Sequence, residues 1–179
     1  MIIKFNLGFI RVTFTVAPVQ KIIGVNSNLD PEKKYHILMW DFDDVNLLQV
    51  LAALKWVQKL YDLADIYVLE SSPNHYIAYC LQKTPWRKAV AIIANTPYVD
   101  WNFFKYGVYR GHFTLRVSKK NGYKPRVVAV LRGKRRWNVT EKDLKSWTIY
   151  ETLYEPKKWG PLERLKRWFF SRKITVEVR

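Results

Sequence analysis

The segment Tyr35 to Asp41, YHILMWD, constrains the fold more than any other stretch of the sequence. Ile37-Leu38-Met39-Trp40 shows no alternation of apolar and polar residues. A short run of this kind reads as a strand buried on both faces. It then runs into Asp41-Phe42-Asp43, with Asp44 behind. The chain holds only 15 Asp and Glu against 31 Lys and Arg, so a cluster of acids at the end of its most apolar strand calls for a reason.

Around this strand the pattern alternates between strands and helices. Residues 1–16, MIIKFNLGFIRVTFTV, alternate apolar and polar side chains and read as one long strand rather than a signal peptide. Gly24 to Lys34 is loop chemistry. Asn46 to Tyr61 has helical periodicity through Leu47, Leu51, Leu54 and Tyr61, with Asp44 or Asn46 able to cap it. Ile66–Glu70 and His75–Leu81 form a strand pair across the turn Ser71-Ser72-Pro73-Asn74. Pro85–Ala94 is a second helix. His112–Ser118 and Arg126–Leu131 read as another strand pair around Lys119–Lys124. Thr140 opens a helix with Asp143 three residues on. Leu162–Phe170 is a last basic helix, and Lys173–Val178 a terminal strand. The expected class is α+β, with a mixed or antiparallel sheet and flanking helices. One domain spans residues 1–155, and residues 156–179 form a basic helix and strand packed on the same domain.

The hydrophobic fraction of 49% and aromatic fraction of 16% are ample for a packed core, so disorder is not the default reading. The net charge of +16 predicts a polyanionic partner, with single-stranded DNA or RNA ahead of a membrane surface. Cys80 is the only cysteine, so an internal disulfide framework and a cysteine-rich zinc site are both excluded. That usage points to an intracellular, cytoplasmic protein. No apolar run reaches membrane-spanning length, and no membrane partner is expected.

Asp41 and Asp43 are two apart on an extended segment, so their side chains leave the same face. Two carboxylates held together repel unless a cation lies between them, and oxygen donors suit magnesium or manganese. The plainer alternative is a helix cap and a solvated strand end. His75 begins a strand directly after a polar turn, where an imidazole can hold a phosphate oxygen or orient a nucleotide. In FTLRVSKK, alternation sets Arg116 and Ser118 on one face with Lys119 following, a set of donors suited to a triphosphate. Asp100, in PYVDW, is a further acid upstream. Lys134-Arg135-Arg136-Trp137 mixes cations with an aromatic ring, as do Arg164, Arg167, Trp168, Arg172 and Lys173. That mixture suits phosphate contacts with base stacking, although the last helix is equally accounted for by core packing with a solvated basic face.

In this order the motifs resemble those of the archaeo-eukaryotic primase superfamily, which includes primase small subunits and primase-polymerases. ILMWDFD is similar to the family's apolar strand ending in Asp-x-Asp. SSPNHYIAY resembles its small-x-His motif, with Pro73 standing at the small position. Val99-Asp100 resembles its apolar-Asp motif, and FTLRVSKK its phosphate-binding segment. The resemblance spans about residues 34–131. It implies a minimal primase-polymerase-like catalytic core without the zinc module, making short strands on a nucleic-acid template in DNA replication. Asp41, Asp43 and Asp100 would be catalytic and hold Mg2+ or Mn2+, with Glu70 an alternative third acid. His75, Arg116, Ser118 and Lys119 would bind the nucleoside triphosphate. Lys134, Arg135, Arg136 and Trp137 would bind the template, and replication proteins would be partners. A non-catalytic replication accessory or initiation protein with the same fold is the alternative, and a metal-dependent nuclease a third reading.

The charge and the interleaved aromatics generate a first prediction. Binding to single-stranded DNA or RNA should weaken steeply with salt, the logarithm of affinity falling by about 0.7 per phosphate neutralised for each unit of log salt. A salt titration followed by fluorescence anisotropy checks it, and a flat profile removes the electrostatic mechanism.

Overall fold

The computed structural model describes residues 2–136, 138–154 and 175–176. Its strands are β1 (Ile2–Leu7), β2 (Ile10–Thr15), β3 (Val19–Asn26), β4 (Tyr35–Asp43), β5 (Ile66–Ser72), β6 (His75–Pro85), β7 (Thr114–Arg116), β8 (Arg126–Leu131), β9 (Trp147–Leu153) and β10 (Thr175–Val176). Among the described residues the helices are α1 (Leu47–Tyr61), α2 (Trp86–Ala94) and α3 (Trp101–Arg110), with a 3-10 turn at Glu141–Asp143. The architecture is α+β and mostly antiparallel, in three sheets ordered β1-β2-β10, β7-β3-β9 and β4-β6-β5-β8. The chain divides into two compact units, one of residues 1–21, 120–122 and 151–179, the other of residues 22–119 and 123–150. Among the described residues no helix is long and apolar enough to cross a membrane.

In the first unit, the N-terminal segment expected as one strand is a hairpin, with Ile2 opposite Thr15 and Leu7 opposite Ile10. Gly8 turns the chain at φ 59°, and a Cβ there would meet no heavy atom within 4 Å. The glycine therefore serves the backbone rather than packing. The alternation shifts phase at the turn, from Ile3, Phe5 and Leu7 to Ile10, Val12 and Phe14, and that shift is the trace the fold-back leaves in the sequence. Thr175 and Val176, the described part of the expected terminal strand, pair with Thr15 and Phe14 of β2. The expected helix at 162–170 lies outside the described residues, as does Trp137.

The second unit carries the core. Ile37, Leu38, Met39, Trp40 and Phe42 of β4 are all fully buried, as the unbroken apolar run requires. β4 pairs along its length with β6, β6 with β5, and β5 with β8, all antiparallel. Helix α2 packs on β4 and β6 and meets α3, while α1 meets β8. Trp40 Nε1 donates to Thr96 Oγ1 (2.9 Å), which satisfies the one polar atom that indole buries. Asn46, rather than Asp44, caps α1 through a reciprocal box with Gln49. The helix buries Val50, Ala53, Leu54 and Val57, leaving Leu47, Leu51 and Tyr61 at the edge of its apolar stripe.

Three expectations change here. The loop expected from Gly24 is the end of β3, where Gly24 faces Arg116 of β7. A Cβ at Gly24 would lie 2.8 Å from Thr114 Cγ2, so this glycine allows two strands to approach rather than a turn to form. β7 and β8 do not pair with each other: β7 joins β3, and β8 joins β5. Residues between them are not a tight hairpin turn, and Arg126 instead lies opposite Glu70 and binds its carboxylate through two nitrogens (2.9 and 2.7 Å). The helix expected at Thr140 is the 3-10 turn alone, in which Asp143 accepts from both the backbone and the hydroxyl of Thr140.

Helix α3 contains Gly107 at its middle, a residue that ordinarily weakens a helix by about 1 kcal/mol relative to alanine. A Cβ at Gly107 would stand 2.2 Å from Cδ1 of Phe113, whose ring is fully buried between Trp86 and Phe103. Gly107→Ala should therefore destabilise the protein, because overpacking of about 1–3 kcal/mol outweighs the gain in helix propensity. Urea unfolding measures the sign directly, and a stabilised variant would show that the ring moves aside without strain.

Candidate active site

Asp41 and Asp43 lie at the end of β4, in unbroken register with Ile77 and His75 of β6. Their side chains, with those of His75 and Tyr79, therefore share one face of the sheet. His75 Nδ1 is 2.7 Å from Asp43 Oδ1. A carboxylate can only accept, so the proton of this contact sits on Nδ1, while Nε2 lies 3.8 Å from Asp44 Oδ1, beyond hydrogen-bond distance. The turn before His75 works because Asn74 adopts φ 61°, a conformation asparagine tolerates better than most residues.

Asp100 reaches the same place from the other side of the sequence. Its backbone N–H donates to the carbonyl of Asp41 (2.8 Å), and its Oδ1 accepts from Phe103 N (2.6 Å) as the N-cap of α3. Burial pushes the Asp41 carboxyl up to about 7, and the neighbouring charges of Asp43 and Asp100 push the same way against His75. Glu70 is committed to Arg126, and it is Asp100 that acts on Asp41. Tyr79, also on this face, has a buried hydroxyl without a hydrogen-bond partner, and burial and Asp41 both raise its pKa. The four acids and the histidine read from separate motifs thus resolve into Asp41, Asp43, Asp100 and His75 on one side, with Glu70 elsewhere.

Burial lowers the pKa of Arg116, and the charge of Asp41 is among those that oppose this shift. Its guanidinium donates to the carbonyls of Ser118 (2.8 Å), Tyr123 (3.2 Å) and Ser71 (3.2 Å). Ser118 Oγ accepts from Ile23 N (2.9 Å), and Lys119 is exposed. Lys134, Arg135 and Arg136 are exposed, with Arg135 bound to Asp62 (2.6 Å) and Lys134 beside Lys55, Lys59 and Arg132.

A cavity of about 200 Å³ opens beside Asp41 and Asp100. Asn102, Tyr106 and Arg110 of α3 line it, together with His112 and Thr114. The sequence shows a helical turn starting at Trp101-Asn102-Phe103-Phe104 but gives Asn102, Tyr106, Arg110 and His112 no role, although Asp100 before WNFFKYGVYR carries a signal: a capping residue followed by apolar spacing at Phe103, Phe104 and Gly107. The donor chemistry of the three carboxylates fits a hard divalent ion, and the like charges of Asp43 and Asp100 beside half-buried Asp41 outweigh that of His75. Among the described residues, however, no three His, Cys, Asp or Glu side chains already converge in a metal-binding geometry. No family model matches the chain. No curated protein and no solved structure matches it either.

The state of Asp41 sets a pH dependence. Its carboxyl protonates near 7 in the folded chain against 3.8 ordinarily, so ionising it opposes folding. The stability gained by keeping it neutral is complete below the unfolded value and is lost as pH rises through about 7. Asp41→Asn should be more stable than the native chain at alkaline pH, by on the order of 1–3 kcal/mol, with the gap closing towards acid. Denaturant melts at several pH values test this, and a pH-independent gap would show that Asp41 does not titrate in this range.

Proposed function

We propose that the protein is a metal-dependent nucleotidyltransferase of the primase-polymerase type, acting on a nucleic-acid template. The observation that carries this reading is the gathering of Asp41, Asp43, Asp100 and His75, from three separate motifs, at one end of the four-stranded sheet. Asp41, Asp43 and Asp100 would hold Mg2+ or Mn2+. When bound, such an ion neutralises charge developing on a transferring phosphoryl group. Asp43 fixes the tautomer and orientation of His75, which leaves Nε2 to receive a hydrogen bond from a substrate hydroxyl. Arg116 and Lys119 supply positive charge for the triphosphate, and the Ser118 hydroxyl retains its proton for donation while accepting from Ile23 N. Lys134, Arg135 and Arg136 offer exposed cations to the template.

A second reading is favoured by a specific observation. Asp100 is engaged as a helix cap, Asp43 by His75, and the Arg116 guanidinium by three carbonyls. A protein that keeps this arrangement for folding alone would bind nucleic acid without catalysis, as a replication accessory or initiation factor.

The two readings separate on the same variants. Asp41→Ala and Asp43→Ala should each abolish template-dependent incorporation of labelled nucleotide while leaving template binding intact. Manganese should raise the melting temperature of the native protein, and both variants should lose that response. Absence of incorporation and of a metal-dependent shift in the native protein would leave the binding protein as the function.

A further inference from the structure

We infer that the solvent face of α3 is a seat for single-stranded nucleic acid, leading into the cavity beside Asp41. The helix presents two rows at four-residue spacing, which places side chains one above another. The inner row is Asn102, Tyr106 and Arg110, and all three line the cavity. The outer row is Trp101, Lys105 and Tyr109. Both rings of that row stand in solvent, Trp101 at 66% and Tyr109 at 88% exposure. Large exposed aromatics at regular spacing on a capped, well-packed helix are not explained by the core, which α3 meets instead through Phe103, Phe104 and Gly107.

The charges on this face select the partner. Lys105 Nζ lies 5.0 Å from the centre of the Tyr106 ring, and the Arg110 guanidinium 5.9 Å from it. Lys33 adds a third cation at the C-terminal end, where its ammonium donates to the carbonyl of Arg110 (2.9 Å). Acid is confined to the other end, at the N-cap Asp100 and at Asp41. Flat rings interleaved with cations match the two features every nucleotide offers, a π face and a phosphate. The two rings of the outer row, Trp101 and Tyr109, are eight residues and so about 12 Å apart along the helix axis. That is wider than the rise of about 3.4 Å between stacked bases, so the face suits splayed bases of a single strand rather than a duplex.

The inference extends the proposed function and rests only on its nucleic-acid part, so the test excludes metal and nucleotide. Binding of fluorescein-labelled oligothymidylate is measured by anisotropy in EDTA. The double variant Trp101→Ala/Tyr109→Ala should lose affinity by about tenfold or more, whereas Trp101→Phe/Tyr109→Phe should stay within about threefold of native. Lys105→Ala should lower the salt slope by roughly one phosphate contact. Tyr109→Ala alone, at a position almost wholly in solvent, keeps the test readable if the double variant folds poorly. Native affinity retained in Trp101→Ala/Tyr109→Ala and in Tyr109→Ala overturns the α3 seat and leaves the proposed function standing. Equal losses in the alanine and phenylalanine pairs overturn stacking as the mechanism. A native protein that does not bind the strand overturns this inference and the nucleic-acid part of the proposed function together.

Discussion

The burial of β4 against β6 is the constraint on which the second unit depends, and it carries a conflict within it. Ile37, Leu38, Met39, Trp40 and Phe42 are removed entirely from water, which contributes about 1.5–3 kcal/mol for each side chain of this size as an upper estimate. Asp41 is interposed between Trp40 and Phe42 and is mostly buried, at an unfavourable contribution of a few kcal/mol once ionised. The apolar sum is several times larger. The strand can therefore hold a disfavoured carboxylate in place, and the hydrogen bond from Asp100 N to Asp41 O then fixes the start of α3 against it.

The other described acids show how unusual that carboxylate is. Asp65 accepts from Arg132 and from Gly133 N, Asp62 from Arg135, and Glu70 from Arg126. Asp30 receives the backbone N–H groups of Lys34 and Tyr35, which lower its pKa. In a chain with an excess of cations, these carboxylates meet a partner that favours ionisation. Asp41 meets two like charges that outweigh the opposing effect of His75, which is the situation a bound cation would reverse.

The parts of this arrangement legible in sequence are those governed by local pattern. The apolar run of β4, the periodicity of α1 and the β5–β6 turn all follow from residue spacing, and the structure has each of them. What local pattern lacks is information about partners. Gly24 reads as a loop residue until Thr114 is seen against it, and Gly107 argues against a helix until Phe113 occupies the space above it. The pairing of β7 with β3 depends on contacts across some ninety residues of chain, such as the hydrogen bond from Thr114 Oγ1 to Asn26 Oδ1 (2.7 Å, 88 residues apart). At the site, Asp41, Asp43 and His75 were legible because they sit on one short antiparallel pair. Tyr79 was not, because only the packed environment makes its hydroxyl unusual.

Arg116 has a consequence that its charge alone does not convey. A planar fork with five N–H groups can tie the carbonyls of Ser71, Ser118 and Tyr123 at once, whereas an ammonium on a flexible stem presents a single point. The arginine is thus a junction at which the β5–β6 turn and both flanks of the 118–123 segment are registered against one rigid plane. Because the guanidinium cannot lose its proton, that junction does not loosen with pH as a histidine clasp would. A lysine would preserve the formal charge opposite Asp41 and still leave the three chain segments free to drift apart.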